Sequence, residues 1–476
     1  MNKKEFAGNI LKFSIPSIIS ALIALCVLPI LTRLYPEAEY GYISNFYSFG
    51  NLLMGVFLLG LDSAYIRFFN EPMEDSNRNG MFLYATKVGI ITSAIAISVM
   101  FVFFREKASV YLFNDTSGVG LVILYAYVVF LILYRMLNIN NRFSGKVTAY
   151  NMQQVFFIIG NRLLFVIAAI FSTNYIPSIM VMLIFTVLVV VVSTAFQRRE
   201  FTNSCISKFR KLEMLKFALP IMPTTIIVFL NNSIAKLILG GYGLRDDVGV
   251  LAIATSAANV FSIIPTAFNV YWGAFMYKNY TREKKLILEV HDFVIVLSIF
   301  LVIGIFLFQD VIYLLLGENY RGSQLYFMLI MLSPIFLFLS ETTVYGIALS
   351  KKTKYFLITA ILGCLFNIMF CRILIPDNGS LGAAVGVAIS SSVTFISRTI
   401  IAQRFYRSIT NYIRTAVSCI LLTVICSSNI FLYNSLLVRI IVSALIIVVI
   451  ICIYHDLIND ATVKVKSLFY NKFGGN

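Results

Sequence analysis

Three basic side chains within or at the end of long apolar stretches are the first residues of this sequence that could do chemistry. Arg162 is the deepest, about 20 Å along its stretch at 1.5 Å per residue. Lys236 lies in the outer part of another stretch, and Arg67 lies just beyond the cytoplasmic end of a third. A base near the centre of a membrane costs roughly 2.5–3.5 kcal/mol to insert, so one that is retained usually faces a cavity or a partner. For Lys236 the alternative is a side chain that reaches along its helix to the outer interface. Because Arg and Lys neutralise phosphate, this set favours an anionic ligand.

Amide and hydroxyl side chains form stripes on several of the same stretches. The longest stripe steps by four, three, four and three residues, which is one face of a helix, and consists of Thr255, Asn259, Ser262, Thr266 and Asn269. Another includes Asn231. Such residues often only hydrogen-bond between packed helices. Whole stripes on several helices instead favour a wetted cavity, so we predict that Asn231, Asn259 and Asn269 line one.

Two carboxylates, Asp62 and Glu341, lie within or at the end of apolar stretches and are candidates for carrying a coupling proton. A Glu341 that pairs with a buried base is an equally open interpretation. The chain lacks a G-x-x-x-x-G-K-[ST] nucleotide motif and a G-x-S-x-G nucleophile motif. Its seven cysteines and two histidines match no metal spacing or disulfide framework. We therefore expect no catalytic residues, no metal and no cofactor.

The elements that must position these residues are membrane-spanning helices. The chain of 476 residues is 59% hydrophobic and only 13% charged, with a mean hydropathy of +0.87, whereas soluble domains are near 25% charged. Stretches of about twenty apolar residues, each long enough to cross a bilayer as a helix, recur fourteen times. They lie near residues 10–32, 42–63, 82–104, 119–138, 150–171, 176–196, 217–240, 248–274, 290–309, 323–347, 356–375, 381–401, 415–433 and 436–454. We predict an all-α polytopic membrane protein.

The net charge of +16 is interpreted as a topology signal rather than as nucleic-acid binding. Lys and Arg crowd into every second gap between the stretches, which predicts that those gaps face the cytoplasm. One such gap holds Arg198, Arg199, Lys208, Arg210, Lys211 and Lys216. Lysines also precede the first stretch and follow the last. We expect both termini to be cytoplasmic, with affinity for anionic membrane lipids as a side effect.

A weak internal repeat divides the chain into two halves. The segment LKFSIP at 11–16 opens the first span, and LKFALP at 215–220 opens the seventh; the match keeps its register over several spans. Six spans per half give both halves one orientation, the parallel kind of transporter repeat. We predict an N-terminal lobe at 1–197, a cytoplasmic linker at 198–213, a C-terminal lobe at 214–409, and two extra spans with a tail at 410–476.

Several segments resemble the bacterial polysaccharide flippases, the O-antigen (Wzx-type) translocases of the multidrug/oligosaccharidyl-lipid/polysaccharide (MOP) exporter superfamily. The segments are LTRLYP at 31–36 with EYGY at 39–42, GLDSAYIRFF at 60–69, NNSIAKLILG at 231–240 with VGV at 248–250, and YWGAF at 271–275. The chain departs from the family pattern at Ala235, where an acid is usual, and has Lys236 where Arg is frequent. The resemblance covers the whole chain in topology.

The resemblance implies a two-lobed, MATE-like bundle in the bacterial inner membrane that is not an enzyme. It implies movement of an undecaprenyl-diphosphate-linked oligosaccharide from the cytoplasmic to the periplasmic leaflet by alternating access, with the glycan polymerase machinery as a candidate partner. Arg162 and Lys236 would then bind the diphosphate, Arg67 would lie near the cytoplasmic entry, and the three amides would contact the sugar. The alternatives are a flippase for a lipid-linked peptidoglycan precursor, a drug/cation antiporter of the superfamily, and a membrane glycan polymerase or ligase.

Overall fold

The computed structural model describes most of the chain. The described residues are 16, 19–20, 22–24, 26–69, 71, 75–198, 204–350, 352 and 354–456. Within them, the side chains at 225, 267, 270, 271, 274, 277 and 278 are left out of the description. The predicted cytoplasmic termini, with the lysines that motivated them, lie outside the described residues. So does the first part of the first predicted span, residues 10–15.

Every regular element among the described residues is helical. The helices are α1 (Leu22–Leu34), α2 (Glu37–Phe57), α3 (Leu61–Phe68), α4 (Arg78–Phe113), α5 (Val119–Phe143), α6 (Val147–Ile158), α7 (Phe165–Ala168), α8 (Tyr175–Phe196), α9 (Lys208–Gly241), α10 (Arg245–Val260), α11 (Ile263–Asn279), α12 (Lys284–Leu315), α13 (Gln324–Thr343), α14 (Tyr345–Leu349), α15 (Lys354–Gln403), α16 (Tyr412–Leu432) and α17 (Leu436–Ile453). A π-helix (Ile159–Leu164) joins α6 to α7, and a 3-10 helix (Glu318–Ser323) precedes α13. The predicted all-α class is confirmed.

Length and composition mark many of these helices as membrane spans. Ten helices of the described part are long and apolar enough to cross a bilayer, and the pair α2–α3, bent by 59°, makes an eleventh. Helices suit this environment because they satisfy their backbone hydrogen bonds internally, with no water to do so. The predicted number of fourteen spans stays a prediction.

The 50-residue helix α15 is a hairpin of two arms rather than one rod. Its backbone leaves the helical region at Gly379, where φ is +50°, a left-handed conformation that glycine adopts without a steric penalty. Ser390 donates a hydrogen bond to the carbonyl of Gly363 at 2.8 Å. Those residues would lie about 40 Å apart in a straight helix. The arms match the predicted stretches 356–375 and 381–401.

The described residues form two compact units. The first comprises the residues up to Val260 together with Leu316–Tyr320 and Asn367–Ala383. Within it, α9 and α10 both pack against α2. Buried amides tie its helices together: Asn140 accepts from Tyr65 at 2.7 Å and donates to Gln197 at 2.8 Å. These units are defined by contacts between residues, whereas the predicted lobes are defined by the internal repeat. The division into lobes at 1–197 and 214–409 therefore stays a prediction.

The second unit comprises Phe261–Leu315, Arg321–Phe366 and the described residues from Ala384 onward. Here α16 packs against α12 and α13, and α17 packs against α12 and α16. A buried bond joins α12 to α16, in which Gln309 donates to Asn429 at 2.6 Å. Asn429 in turn donates to the carbonyl of Gln324 at 2.7 Å. The last two helices are therefore integral to this unit.

Candidate functional site

Lys236 of α9 meets one face of α2 inside the first unit. Its ammonium donates to the hydroxyl of Ser44 at 2.9 Å and to that of Ser48 at 3.4 Å. The two serines are four residues apart and therefore share a helix face. Lys236 is half-buried. The sequence analysis identified Lys236 as an intramembrane base, and in the structure its side chain is hydrogen-bonded to the neighbouring helix α2.

The surroundings of Lys236 leave its positive charge unneutralised. Among the described residues it forms no ion pair with a carboxylate. The preceding residue, Ala235, is buried and supplies no counter-charge. Hydroxyl oxygens accept hydrogen bonds from an ammonium but carry no counter-charge. The site is therefore chemically suited to an anion.

Arg162 lies in the π-helix between α6 and α7. Such segments are rare and frequently occur at functional sites. Its side chain is exposed and interacts electrostatically with Tyr40 of α2. The preceding residue, Asn161, is buried and accepts a hydrogen bond from Tyr127 at 2.7 Å. Asn161 thus serves packing, and Arg162 is the part of this segment that is free to meet a ligand.

Arg162 and Lys236 approach the same stripe of α2. Tyr40, Ser44 and Ser48 follow one another at steps of four, so they lie on one face of that helix. Tyr40 and Ser44, the α2 residues that interact with Arg162 and Lys236, are about 6 Å apart along the helix axis. The sequence analysis singled out both bases but gave no sign that each interacts with α2.

The three predicted amides lie in different surroundings. Asn231 of α9 accepts from the amide of Asn367 at 2.9 Å in the first unit. Asn259 is exposed near the end of α10. Asn269 belongs to the second unit, on α11, and donates to the carboxylate of Glu341. The sugar-binding role of these amides stays a prediction.

Glu341 of α13 lies beside a base that the sequence analysis did not select. Its carboxylate accepts from Asn269 and interacts electrostatically with Arg398 on the second arm of α15. Arg398 also donates to the hydroxyl of Thr359 on the first arm at 3.4 Å. Arg398 is therefore a specific candidate for the base in the open interpretation in which Glu341 pairs with one. Arg398 met the criterion of a base inside an apolar stretch and could have been found by it.

Asp62 and Arg67 of α3 both have partners of opposite charge. Arg135 of α5 donates to Asp62 through two nitrogens, at 3.1 and 3.3 Å. Arg67 pairs with Glu71 at 2.6 Å, and both side chains are about half exposed. Neither residue lies at the stripe of α2 that Arg162 and Lys236 approach. The coupling role of Asp62 and the entry role of Arg67 stay predictions.

No cluster of His, Cys, Asp and Glu suited to a metal occurs in the part of the chain that the structure describes.

The comparisons with known proteins identify the family. The model of the polysaccharide biosynthesis protein family matches residues 6–277, more than half of the chain. The chain therefore belongs to the polysaccharide biosynthesis protein family. No curated protein matches it in sequence.

Solved structures give the same fold at low sequence identity. One is the lipid II flippase MurJ in an inward closed conformation, with a TM-score of 0.70 and 16% identity, covering 94% of this chain and 99% of that one. A second is an inward-facing MATE-family multidrug resistance transporter of the MOP superfamily, with a TM-score of 0.60, 15% identity, and coverage of 83% and 97%. A third is the MATE multidrug transporter DinF-BH, with a TM-score of 0.56, 14% identity, and coverage of 85% and 96%.

Together these results define a multi-pass membrane protein with the fold shared by MurJ and MATE transporters. The solved proteins of this fold named above are a flippase and two transporters. The predicted resemblance to a polysaccharide family is confirmed, and the predicted MATE-like architecture agrees with the likeness of fold to MurJ and MATE transporters.

Proposed function

We propose that this protein is a flippase for an undecaprenyl-diphosphate-linked oligosaccharide, the repeat unit of an O-antigen or another surface polysaccharide. It moves this lipid from the cytoplasmic to the periplasmic leaflet of the bacterial inner membrane by alternating access, with both of its own termini in the cytoplasm. The observation that carries the proposal is the approach of Arg162 and Lys236 to one stripe of α2. Two bases with no described ion-pair partner suit a diphosphate, which carries several negative oxygens.

The family supports the oligosaccharide part of this ligand. Membership in the polysaccharide biosynthesis family favours a glycan precursor over a drug as the transported molecule. The amides Asn231, Asn259 and Asn269 supply donors and acceptors that match sugar hydroxyls. The glycan polymerase machinery, which would consume the flipped repeat unit, is a proposed partner.

Two other substrates are consistent with the same fold. A flippase for a lipid-linked peptidoglycan precursor is favoured by the likeness to MurJ, and its ligand would carry the same diphosphate. A drug/cation antiporter is favoured by the MATE likeness. The uncompensated charge of Lys236 argues against the antiporter, because a cationic drug would be repelled by it.

Gene deletion with analysis of the lipid-linked sugars distinguishes these substrates. We expect the deletion strain to accumulate a lipid-linked surface-polysaccharide repeat unit on the cytoplasmic side, and the wild-type gene to reverse this. Accumulation of a peptidoglycan precursor would support the MurJ-like alternative. Unchanged lipid-linked sugars combined with increased drug sensitivity would support the antiporter.

Glu341 is the stronger of the two candidates for a coupling site. Asp62 is held by two hydrogen bonds from Arg135, whereas Glu341 lies among an amide and a guanidinium on other helices. Protonation of Glu341 would remove its attraction for Arg398 and thereby weaken the interaction between α13 and α15. In vesicles with an imposed proton gradient, we expect Glu341→Gln to lose the gradient dependence of transport and Asp62→Asn to retain it. Equal gradient dependence in wild type and Glu341→Gln would remove this role.

A further inference from the structure

The ammonium of Lys236 is held in a cradle of two neutral groups, the hydroxyls of Ser44 and Ser48. An ammonium has three N–H donors. Two of them are directed to these hydroxyls, at 2.9 and 3.4 Å. The third has no partner among the described residues. One donor and the full positive charge are therefore left for a ligand.

Three other bases within the apolar helices have a carboxylate nearby. Arg439 pairs with Asp310 and Arg135 pairs with Asp62, while Arg398 interacts electrostatically with Glu341. In each of these three cases a carboxylate offsets the charge of the base. Lys236 instead donates hydrogen bonds to two hydroxyls and lacks that offset. The neutral residue type at positions 44 and 48 is what leaves the charge available. A carboxylate at either position would hold the lysine at least as firmly but would also offset its charge.

We infer that Ser44 and Ser48 are positioning residues that fix the ammonium of Lys236 while keeping it available to a phosphate oxyanion. This inference rests on the proposed function, because it takes the diphosphate of the lipid carrier as the ligand. The neutral cradle makes the site selective by charge: a polyprenyl diphosphate is bound, and the corresponding uncharged alcohol is not. The serines themselves need not touch the ligand.

The test introduces a counter-charge into the cradle and separates its effect from that of size. Ser44→Asp places a carboxylate beside Lys236, and Ser44→Asn is the matched control, with the size of the Asp variant and no charge. Ser48→Asp is a second version of the experiment in case the first variant does not fold. Binding of farnesyl diphosphate to the purified full-length protein is measured by calorimetry, with farnesol as the uncharged probe, and the melting temperature of each variant is recorded.

We expect Ser44→Asp to bind farnesyl diphosphate about ten- to hundredfold more weakly than wild type, the equivalent of one charge-assisted hydrogen bond. Its melting temperature should equal or exceed that of wild type, because the new carboxylate pairs with Lys236. Ser44→Asn should lose clearly less affinity. If Ser44 had a structural role alone, both substitutions would lower the melting temperature. The Asp and Asn variants would then bind farnesyl diphosphate equally well.

Equal affinity of Ser44→Asp, Ser48→Asp and wild type for farnesyl diphosphate would overturn the inference while leaving the proposed function in place. Failure of the wild-type protein to prefer farnesyl diphosphate over farnesol would instead count against the diphosphate ligand, and with it the proposed function.

Discussion

The guanidinium of Arg439 on α17 pairs with the carboxylate of Asp310 on α12 inside the second unit. Arg439 is 1% exposed and also donates to the carbonyl of Phe306 at 2.8 Å, whereas the side chain of Asp310 is 48% exposed. The pair is therefore asymmetric. A buried charge that loses its partner is costly, but a half-exposed carboxylate that loses its partner is solvated by water.

This asymmetry predicts unequal effects of removing the two partners. We expect Asp310→Asn to destabilise the protein by about 1–3 kcal/mol, because it leaves a buried guanidinium without its counter-charge. Solvent around the half-exposed position 310 screens part of this effect. Arg439→Met, which removes the buried charge, should cost less. Thermal unfolding in detergent measures both. Lys285→Met in the exposed pair with Glu289 is the control and should change stability by less than about 0.5 kcal/mol. A larger loss in Arg439→Met than in Asp310→Asn would contradict the argument.

Arg162 is expected to be required for transport but not for folding. It is exposed and supplies charge near Tyr40, so Arg162→Ala should leave protein abundance near normal. Loss of one charge-assisted contact to the diphosphate should reduce transport about ten- to hundredfold, while Arg162→Lys keeps part of the activity. Export of the glycan in a deletion strain is the measurement. Arg372→Ala, which removes another exposed base of an apolar helix, is the matched control. Full complementation by Arg162→Ala would refute the role.

Water should reach the polar stripes but not the apolar helix surfaces. Cysteines at Ser48 and Asn259, in a background without the seven native cysteines, are expected to react with a membrane-impermeant thiol reagent from one side of the membrane at a time. A cysteine at Val448 should stay unreactive, because its 59% exposed surface lies on an almost purely aliphatic helix that faces lipid. Equal labelling at all three positions would show that the stripes do not mark an aqueous path.

The close packing of α2 and α10 predicts a strong response to a single methyl group. A Cβ at Gly249 would overlap the carbonyl oxygen of Glu37, and one at Gly41 would lie 2.9 Å from that of Arg245. We expect Gly249→Ala to destabilise the protein by about 1–3 kcal/mol through overpacking. Gly304 on α12 has no heavy atom within 4 Å of an added Cβ. Gly304→Ala should therefore be neutral or stabilising by up to about 1 kcal/mol, from helix propensity. Thermal unfolding of the two variants provides the comparison, and equal melting temperatures would contradict it.

The amino-acid sequence by itself determined the class of the protein and the extent of many helices. The predicted stretches 119–138, 176–196 and 436–454 coincide closely with α5, α8 and α17. This is possible because the length of an apolar run is a local property, and the thickness of the bilayer converts it directly into a span. The cost of placing a base in such a run is also local, so Arg162 and Lys236 could be selected without any knowledge of their surroundings.

Only the tertiary structure decided which of these residues have partners. Lys236 and Ser44 are 192 residues apart in sequence, Asp310 and Arg439 are 129 apart, and Asn269 and Glu341 are 72 apart. Each pairing depends on how two helices are rotated about their axes and which helices are neighbours. Neither property is encoded in the hydropathy of a single stretch, because an apolar helix carries little information about the identity of the surface it packs against. The sequence therefore specified the charged groups, and the packing of α2 with α9 and of α12 with α17 determined whether each charge is offset or left for a ligand.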